Sequence, residues 1–235
     1  MENYLDDKPI SEVIRDRIVA AGNRYHASDN ISQFIYDEED KMLVSELQDK
    51  FQEVLNSLVI DTASDPNSKD TAKRLAKMYI YELMSGRYQP RPTVTSFPNE
   101  GSERFEGMLV VRAEITSMCS HHHQPVRGVA YIGLIPTGRV IGLSKYVRIA
   151  QWCARRGTLQ EELCNDIARE ISKATDSENV GVYIQATHGC CENRGIMAKS
   201  SLTQTTVLRG AFQSDDSTKK EFFDNIKLQQ EYATK

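Results

Sequence analysis

The stretch Met108–Ile135, MLVVRAEITSMCSHHHQPVRGVAYIGLI, sets two apolar, β-rich runs on either side of a cysteine and three consecutive histidines. Met108 to Thr116 and Gly128 to Ile135 read as hairpin partners, so the Cys/His cluster is the connection between two antiparallel strands. Downstream, Ser144 to Arg155 reads as a helix with Tyr146, Ile149, Ala150 and Cys153 on one side. Leu159 to Lys173 is a second helix, with Leu163, Ile167 and Ile171 in line. Asn179 to Ala186 alternates Val180, Val182, Ile184 and Ala186, the pattern of a half-buried strand. Ser201 to Phe212 reads as a further strand and Ser217 to about Tyr232 as a closing helix. The order β-β-α-α-β-β-α, with hairpins flanking a helical pair, predicts an α+β fold with an antiparallel sheet, not a doubly wound one.

Upstream the period is helical. Ile10 to about Ala21 is amphipathic, and Leu43, Leu47, Phe51, Val54 and Leu58 recur at steps of four and three. Asp61 to Ser68 is a loop by its turn residues. Ala72, Leu75, Ala76, Tyr79, Ile80 and Leu83 form an apolar stripe, with Asp70 as its expected N-cap and Gly86 as its expected stop. Arg87 to Gly101 holds three prolines and reads as a connector. The expected organisation is an N-terminal helical region, 1–104, and a sheet domain, 105–235.

The chain of 235 residues is long enough for a large core, and 40% of it is hydrophobic. A net charge of −4 gives no support for nucleic acid or an anionic membrane as the main partner. No apolar run reaches bilayer length, and the acidic N-terminus lacks an apolar signal core, so no membrane anchor and a cytoplasmic location are expected. The cysteines are Cys119, Cys153, Cys164, Cys190 and Cys191, an odd number in a chain too large to need staples. Metal-binding or buried thiols in a reducing compartment fit better than a disulfide framework.

Cys119 and His122 are spaced Cys-x-x-His, and a second cluster, Thr187-His-Gly-Cys-Cys-Glu-Asn-Arg-Gly195, ends a predicted strand. Thiolates and an imidazole suit zinc, and three protein ligands with one open position is the catalytic pattern. The residues offer Cys119, His122 and one of Cys190/Cys191 as ligands. His188 and Cys190 are two apart and share a face on extended chain. No phosphate-cradling glycine loop is present, so an anion would meet discrete cations. Lys145 and Arg148 lie in the first turns of a helix with Ser144 as its expected N-cap. Either they hold an anion or they are a solvated face, and the same choice applies to Arg74 and Arg194. Thr158-Leu-Gln-Glu161 reads equally as a capping box or as a carboxylate for the N1–H and 2-amino edge of guanine.

Taken together these segments resemble the GTP cyclohydrolase I family. The family's Thr-Ser-x-Cys-Glu-His-His is similar to Thr116-Ser-Met-Cys-Ser-His-His122, and its Pro-x-x-Gly follows as Pro125-Val-Arg-Gly128. Its Val-Ile-Gly-Leu-Ser-Lys-x-x-Arg-Ile appears from Val140 to Ile149, and its Ala-x-Arg-x-Gln-x-Gln-Glu is similar to Ala154-Arg-Arg-Gly-Thr-Leu-Gln-Glu161. Its His-x-Cys-x-x-x-Arg-Gly matches His188 to Gly195, and the helix from Asp70 to Tyr79 resembles a further motif. The resemblance implies a tunnelling fold that assembles around a symmetry axis as a homodecamer, with each site at a subunit interface. It implies zinc held by Cys119, His122 and Cys190, and an acid/base pair of His121 and His188. Gln160 and Glu161 would hold the guanine edge and Ser144 would lie near the ribose. Lys145, Arg148, Arg194 and a neighbouring subunit's Arg74 would hold the triphosphate of GTP. The implied reaction is hydrolysis at guanine C8, releasing formate and giving 7,8-dihydroneopterin triphosphate. Three positions depart from the pattern: Ser120 stands where the family has Glu, His123 where it has an aromatic residue, and Cys191 adds a thiol beside a ligand. Ser120 and His123 motivate one other reading, a deoxy or modified guanine nucleotide as substrate; a second, a catalytically silent zinc-binding relative, is opposed by the intact His121, His188 and Glu161.

Overall fold

Isoleucines at steps of four make the first helix. Ile10, Ile14 and Ile18 are buried along α1 (Ile10–Ala20) and pack with Ile31. This is seen in a computed structural model that describes residues 8–102 and 104–233. The chain divides into two compact units between Pro90 and Arg91.

In the N-terminal unit, α1 is tied to the start of α2 (Glu39–Ser57) by a two-pronged ion pair. Arg17 donates from both terminal nitrogens to the Glu39 carboxylate at 2.6 and 2.7 Å. That hydrogen bonding holds the Glu39 carboxyl below its usual range. The expected α2 stripe is half realised. Leu43, Leu47 and Phe51 pack against Val44, Ala76 and Ile80, but Val54 and Leu58 are exposed and Leu55 is buried in their place. Next, α3 (Thr71–Lys77) buries Ala72 and Ala76. Asp70 stands at its N-cap position but makes no capping bond, and pairs instead with Arg74 at 3.7 Å. Gly86 does not stop the helix. The chain widens into a π turn over Met78–Leu83, closed by Met84 N–H to Tyr79 O at 3.0 Å, and Gly86 is buried inside a further turn, α4 (Ser85–Tyr88).

The C-terminal unit begins with β1 (Ser96–Pro98), within the stretch read as a plain connector. It pairs antiparallel with β4 (Arg139–Ile141), so that Ser96 faces Ile141. The main sheet contains β2 (Leu109–Cys119), β3 (Pro125–Leu134), β5 (Gly157–Thr158), β6 (Val180–His188) and β7 (Thr203–Leu208) in the order β5-β2-β3-β6-β7. Every pairing is antiparallel except the short contact of β5 with the end of β2. One face is covered by α5 (Leu143–Ala154) and α6 (Gln160–Thr175). Tyr146, Ile149, Leu163, Ile167 and Ile171 are buried there against Ile132, Val182 and Ile184. After a one-turn α7 (Gly189–Glu192), α8 (Ala211–Ser214) and α9 (Asp216–Ala233) contribute Phe212, Phe222 and Ile226 to a second cluster with Tyr131 and Tyr183. The α+β antiparallel architecture read from the sequence is the one found.

Two boundaries differ from the expected ones. Ser201–Phe212 is not one strand, because Gly210 turns the chain at φ +55° and sends Phe212 back into the second cluster. The Ala211 N–H freed by that turn donates to Asn179 Oδ1 at 2.9 Å. Phe212 finds room only because β3 and β6 carry glycines opposite it. A Cβ at Gly133 or Gly181 would lie 2.8 Å from its ring. Ser144 is not an N-cap either, since α5 starts at Leu143 with Gly142 before it. Gly181→Ala is therefore expected to lower stability by about 1–3 kcal/mol through overpacking. Denaturant or thermal unfolding checks this, and trimming the ring with Phe212→Leu in the same chain should recover part of the loss.

Candidate metal centre and active site

Sheet register builds the site. Met118 faces Pro125 across the hairpin, and Val126 faces His188 across the next pairing, so the end of β2 and the end of β6 share one end of the sheet. Beyond Cys119 the chain reverses in a tight turn. Cys119 N–H donates to Gln124 O and His123 N–H to Cys119 O, both at 2.9 Å, with His123 in the left-handed region at φ +51°. The turn leaves Cys119 buried and His121, His122 and His123 exposed. On the other side, α7 lifts Cys190 towards them. Gly189 permits the approach, since a Cβ there would lie 3.1 Å from Pro125 O.

The donor atoms of Cys119, His122 and Cys190 all lie within 4.8 Å of one another, the one such gathering among the described residues. A tetrahedral zinc ion ~2.0–2.3 Å from each donor would hold them slightly closer. Two thiols and an imidazole are the donor set that suits that ion. The expected ligand trio is thus brought together, with Cys190 and not Cys191 inside it. Burial first, then the neighbouring Cys119 and Cys191 thiols, push the Cys190 thiol up to about 11. A bound cation would oppose that shift and favour the Cys190 thiolate.

Further groups surround the trio. His121 Nδ1 is 3.9 Å from Cys119 Sγ. Arg194 donates to His122 Nε2 at 2.8 Å. His188 is half-buried and its Nε2 lies 2.7 Å from Gln160 Oε1. Burial lowers its pKa below the usual histidine value, while the carboxylates of Glu161 and Glu192 act in the opposite direction. Gln160 is buried, and its amide nitrogen donates to Ile184 O, Thr203 O and Thr205 Oγ1 at 3.3, 3.2 and 3.1 Å. Those partners, and Glu192, were not legible beforehand; the alternation of Thr203 and Thr205 along β7 was the one available signal.

The capping box expected at Thr158 does not form. Leu159 occupies the N-cap position, and the Thr158 hydroxyl turns to Leu159 O and Glu162. Glu161 is exposed in the first turn of α6, without the capping role that would account for it. On α5, Ser144 and Arg148 are exposed, and Lys145 donates to Thr93 O at 3.1 Å. Arg74 belongs to the N-terminal unit, where it is exposed. No helix among the described residues is long and apolar enough to cross a membrane.

An α+β sheet whose strand ends gather two thiols, an imidazole and a second, half-buried histidine defines an enzyme centre built for a soft cation. The sequence profile of the GTP cyclohydrolase I family matches residues 47–227. A GTP cyclohydrolase 1 of Aeromonas hydrophila is 38% identical over 176 residues, covering 74% of this chain and 79% of the relative. One from Vibrio cholerae is 36% identical over 182 residues, 77% and 83% of the two chains. One from Flavobacterium johnsoniae is 34% identical over 210 residues, 88% and 92%. The chain belongs to the GTP cyclohydrolase I family, and it is an enzyme with that family's tunnelling fold.

Replacing Cys119 or Cys190 by Ser, or His122 by Ala, is expected to remove bound metal, as read by elemental analysis of the purified protein. His121→Asn, His188→Asn and Cys191→Ser should keep one ion per chain. Loss of metal from His188→Asn would make His188 a ligand.

Proposed function

We propose that this chain opens the imidazole ring of GTP by hydrolysis at C8, releases formate, and after ribose rearrangement and ring closure yields 7,8-dihydroneopterin triphosphate. The carrying observation is the convergence of Cys119, His122 and Cys190 on one point, in a chain of this family. Zinc held by these residues would supply Lewis acidity and a nucleophile at neutral pH.

The remaining work falls to side chains. Breaking the C8–N9 and C8–N7 bonds requires protons at the departing nitrogens, and imidazole titrates in the range where it can give and take them. His121, beside Cys119, and His188, at the strand end, are the groups for that exchange. Burial of His188 lowers its pKa and so favours the neutral ring, the form that can accept a proton. Glu161 offers a carboxylate for the N1–H and 2-amino edge of guanine, a two-point match that rejects bases lacking those donors. Lys145, Arg148, Arg194 and Arg74 of a neighbouring subunit supply charge for the triphosphate, and Ser144 a hydroxyl near the ribose.

Assembly into a homodecamer is part of this reading. Beyond its two-residue contact with β5, one edge of β2 has no strand partner among the described residues, and β7 ends the sheet on the other side. Exposed edges of that length are usually covered by another strand, which supports edge-to-edge closure of several copies into a barrel.

Incubation of the purified protein with GTP should release formate and, after oxidation, a fluorescent pterin, and a chelator should stop both. A metal-loaded assembly that binds GTP but forms neither product would overturn the proposal. Glu161→Gln is expected to reduce kcat/KM for GTP by ~100-fold or more, the scale for a lost charged hydrogen-bond pair. The same variant should leave metal content unchanged.

A further inference from the structure

We infer that Gln160 is a positioning residue, which holds the His188 imidazole in the tautomer with its proton on Nε2 and its lone pair on Nδ1, and that its side chain does not read the guanine edge. The inference deepens the proposed reaction and rests on it for its kinetic arm.

The geometry leaves little choice. An amide side chain has one donating end and one accepting end, and its neighbours decide which way it faces. On one side of Gln160 stand the carbonyl oxygens of Ile184 and Thr203, which only accept. The nitrogen must face them, and the Thr205 hydroxyl completes its set. Oε1 therefore faces His188, where Nε2 lies 2.7 Å away. A carbonyl oxygen at that distance requires an N–H opposite it. In a neutral imidazole the other nitrogen, Nδ1, then carries the free lone pair. Nδ1 is thus the atom through which His188 exchanges a proton with substrate.

Neither near relative of glutamine would serve. A glutamate carboxylate would set its own lone pairs against the two carbonyls. Asparagine is one methylene shorter and could not span from β6 and β7 to the ring. The start of α6 consequently has two sides: Gln160 points inward to hold His188, and its neighbour Glu161 is exposed and free for a ligand.

The tautomer can be read without any reaction. With five histidines in the chain, solid-state 15N spectra of 15N-histidine-labelled protein are tractable, and the His188 signal is the one missing from His188→Asn. At a pH where the ring is neutral, His188 should show a protonated Nε2 and a bare Nδ1. A proton on Nδ1 overturns the inference. Kinetically, Gln160→Met keeps side-chain length and removes the acceptor. It should lower kcat for GTP by about 10–100-fold, the usual scale for losing a partner that orients a histidine, with bound metal unchanged. KM should stay within about threefold of the original, since no substrate contact is lost. A raised KM with kcat preserved would return Gln160 to guanine binding and overturn the assignment. Should the variant fail to fold, the spectrum of the unaltered protein decides. Should the unaltered protein fail to turn over GTP, the proposed reaction falls, while the 15N result still decides the tautomer.

Discussion

The central strand β3 is the constraint on which the rest depends. It pairs along its length with β2 on one side and β6 on the other, and its first residues face the last residues of both. Cys119 and His188 are thereby delivered to one end of the sheet although nearly half of the unit lies between them in sequence. The entropy of closing that long loop is offset by the ladder and by the core beneath it, so the metal centre need not pay for its own assembly. A one-residue slip of either pairing would turn every side chain of the slipped strand to the opposite face and scatter the ligands. The apolar face beneath the ladder, with Ile132, Val182 and Ile184 fully buried against α5 and α6, is what forbids that slip.

Much of this was legible from residue order because strand alternation and helix stripes report burial, and burial decides the sheet. The hairpin around the Cys/His turn, the paired helices and the strand expected to end at Ala186, which runs on to His188, were all readable in that way. What escaped was set by tertiary contact or backbone geometry. Gly86 looks like a helix stop, yet the chain passes through a π turn and Met84 before it, and Gly86 lies inside a further helical turn that ends at Tyr88. Gly210 looks unremarkable inside an apolar run, yet its positive φ divides strand from helix. At the site, the residue types of Cys119, His122 and Cys190 announced their chemistry. Gln160 did not, because an amide announces no partner, and only the fold reveals that two carbonyls and an imidazole surround it.

The centre combines parts of different rigidity. Cys119 is buried at a strand end, and His188 is braced through Gln160 to backbone atoms of β6 and β7. Functional groups held on sheet elements in this way keep their geometry better than groups on loops. His121, His122 and His123, by contrast, sit exposed on a turn anchored by two backbone hydrogen bonds. The candidate ligands therefore differ in freedom: Cys119 is set by the sheet, whereas His122 lies on the turn and can adjust around an ion.

That division bears on Arg194. By donating to His122 Nε2, it occupies the lone pair the neutral ring has to offer when Nδ1 carries the proton. One lone pair cannot serve a guanidinium and a metal ion at once. A ring that coordinates through Nδ1 must carry its proton on Nε2, and one that coordinates through Nε2 has no lone pair left there, so metal binding by His122 through either nitrogen would require Arg194 to withdraw. An arginine displaced from His122 loses the hydrogen-bond partner it has here. Occupancy of the metal centre and the position of Arg194 are in this sense coupled through a single imidazole nitrogen.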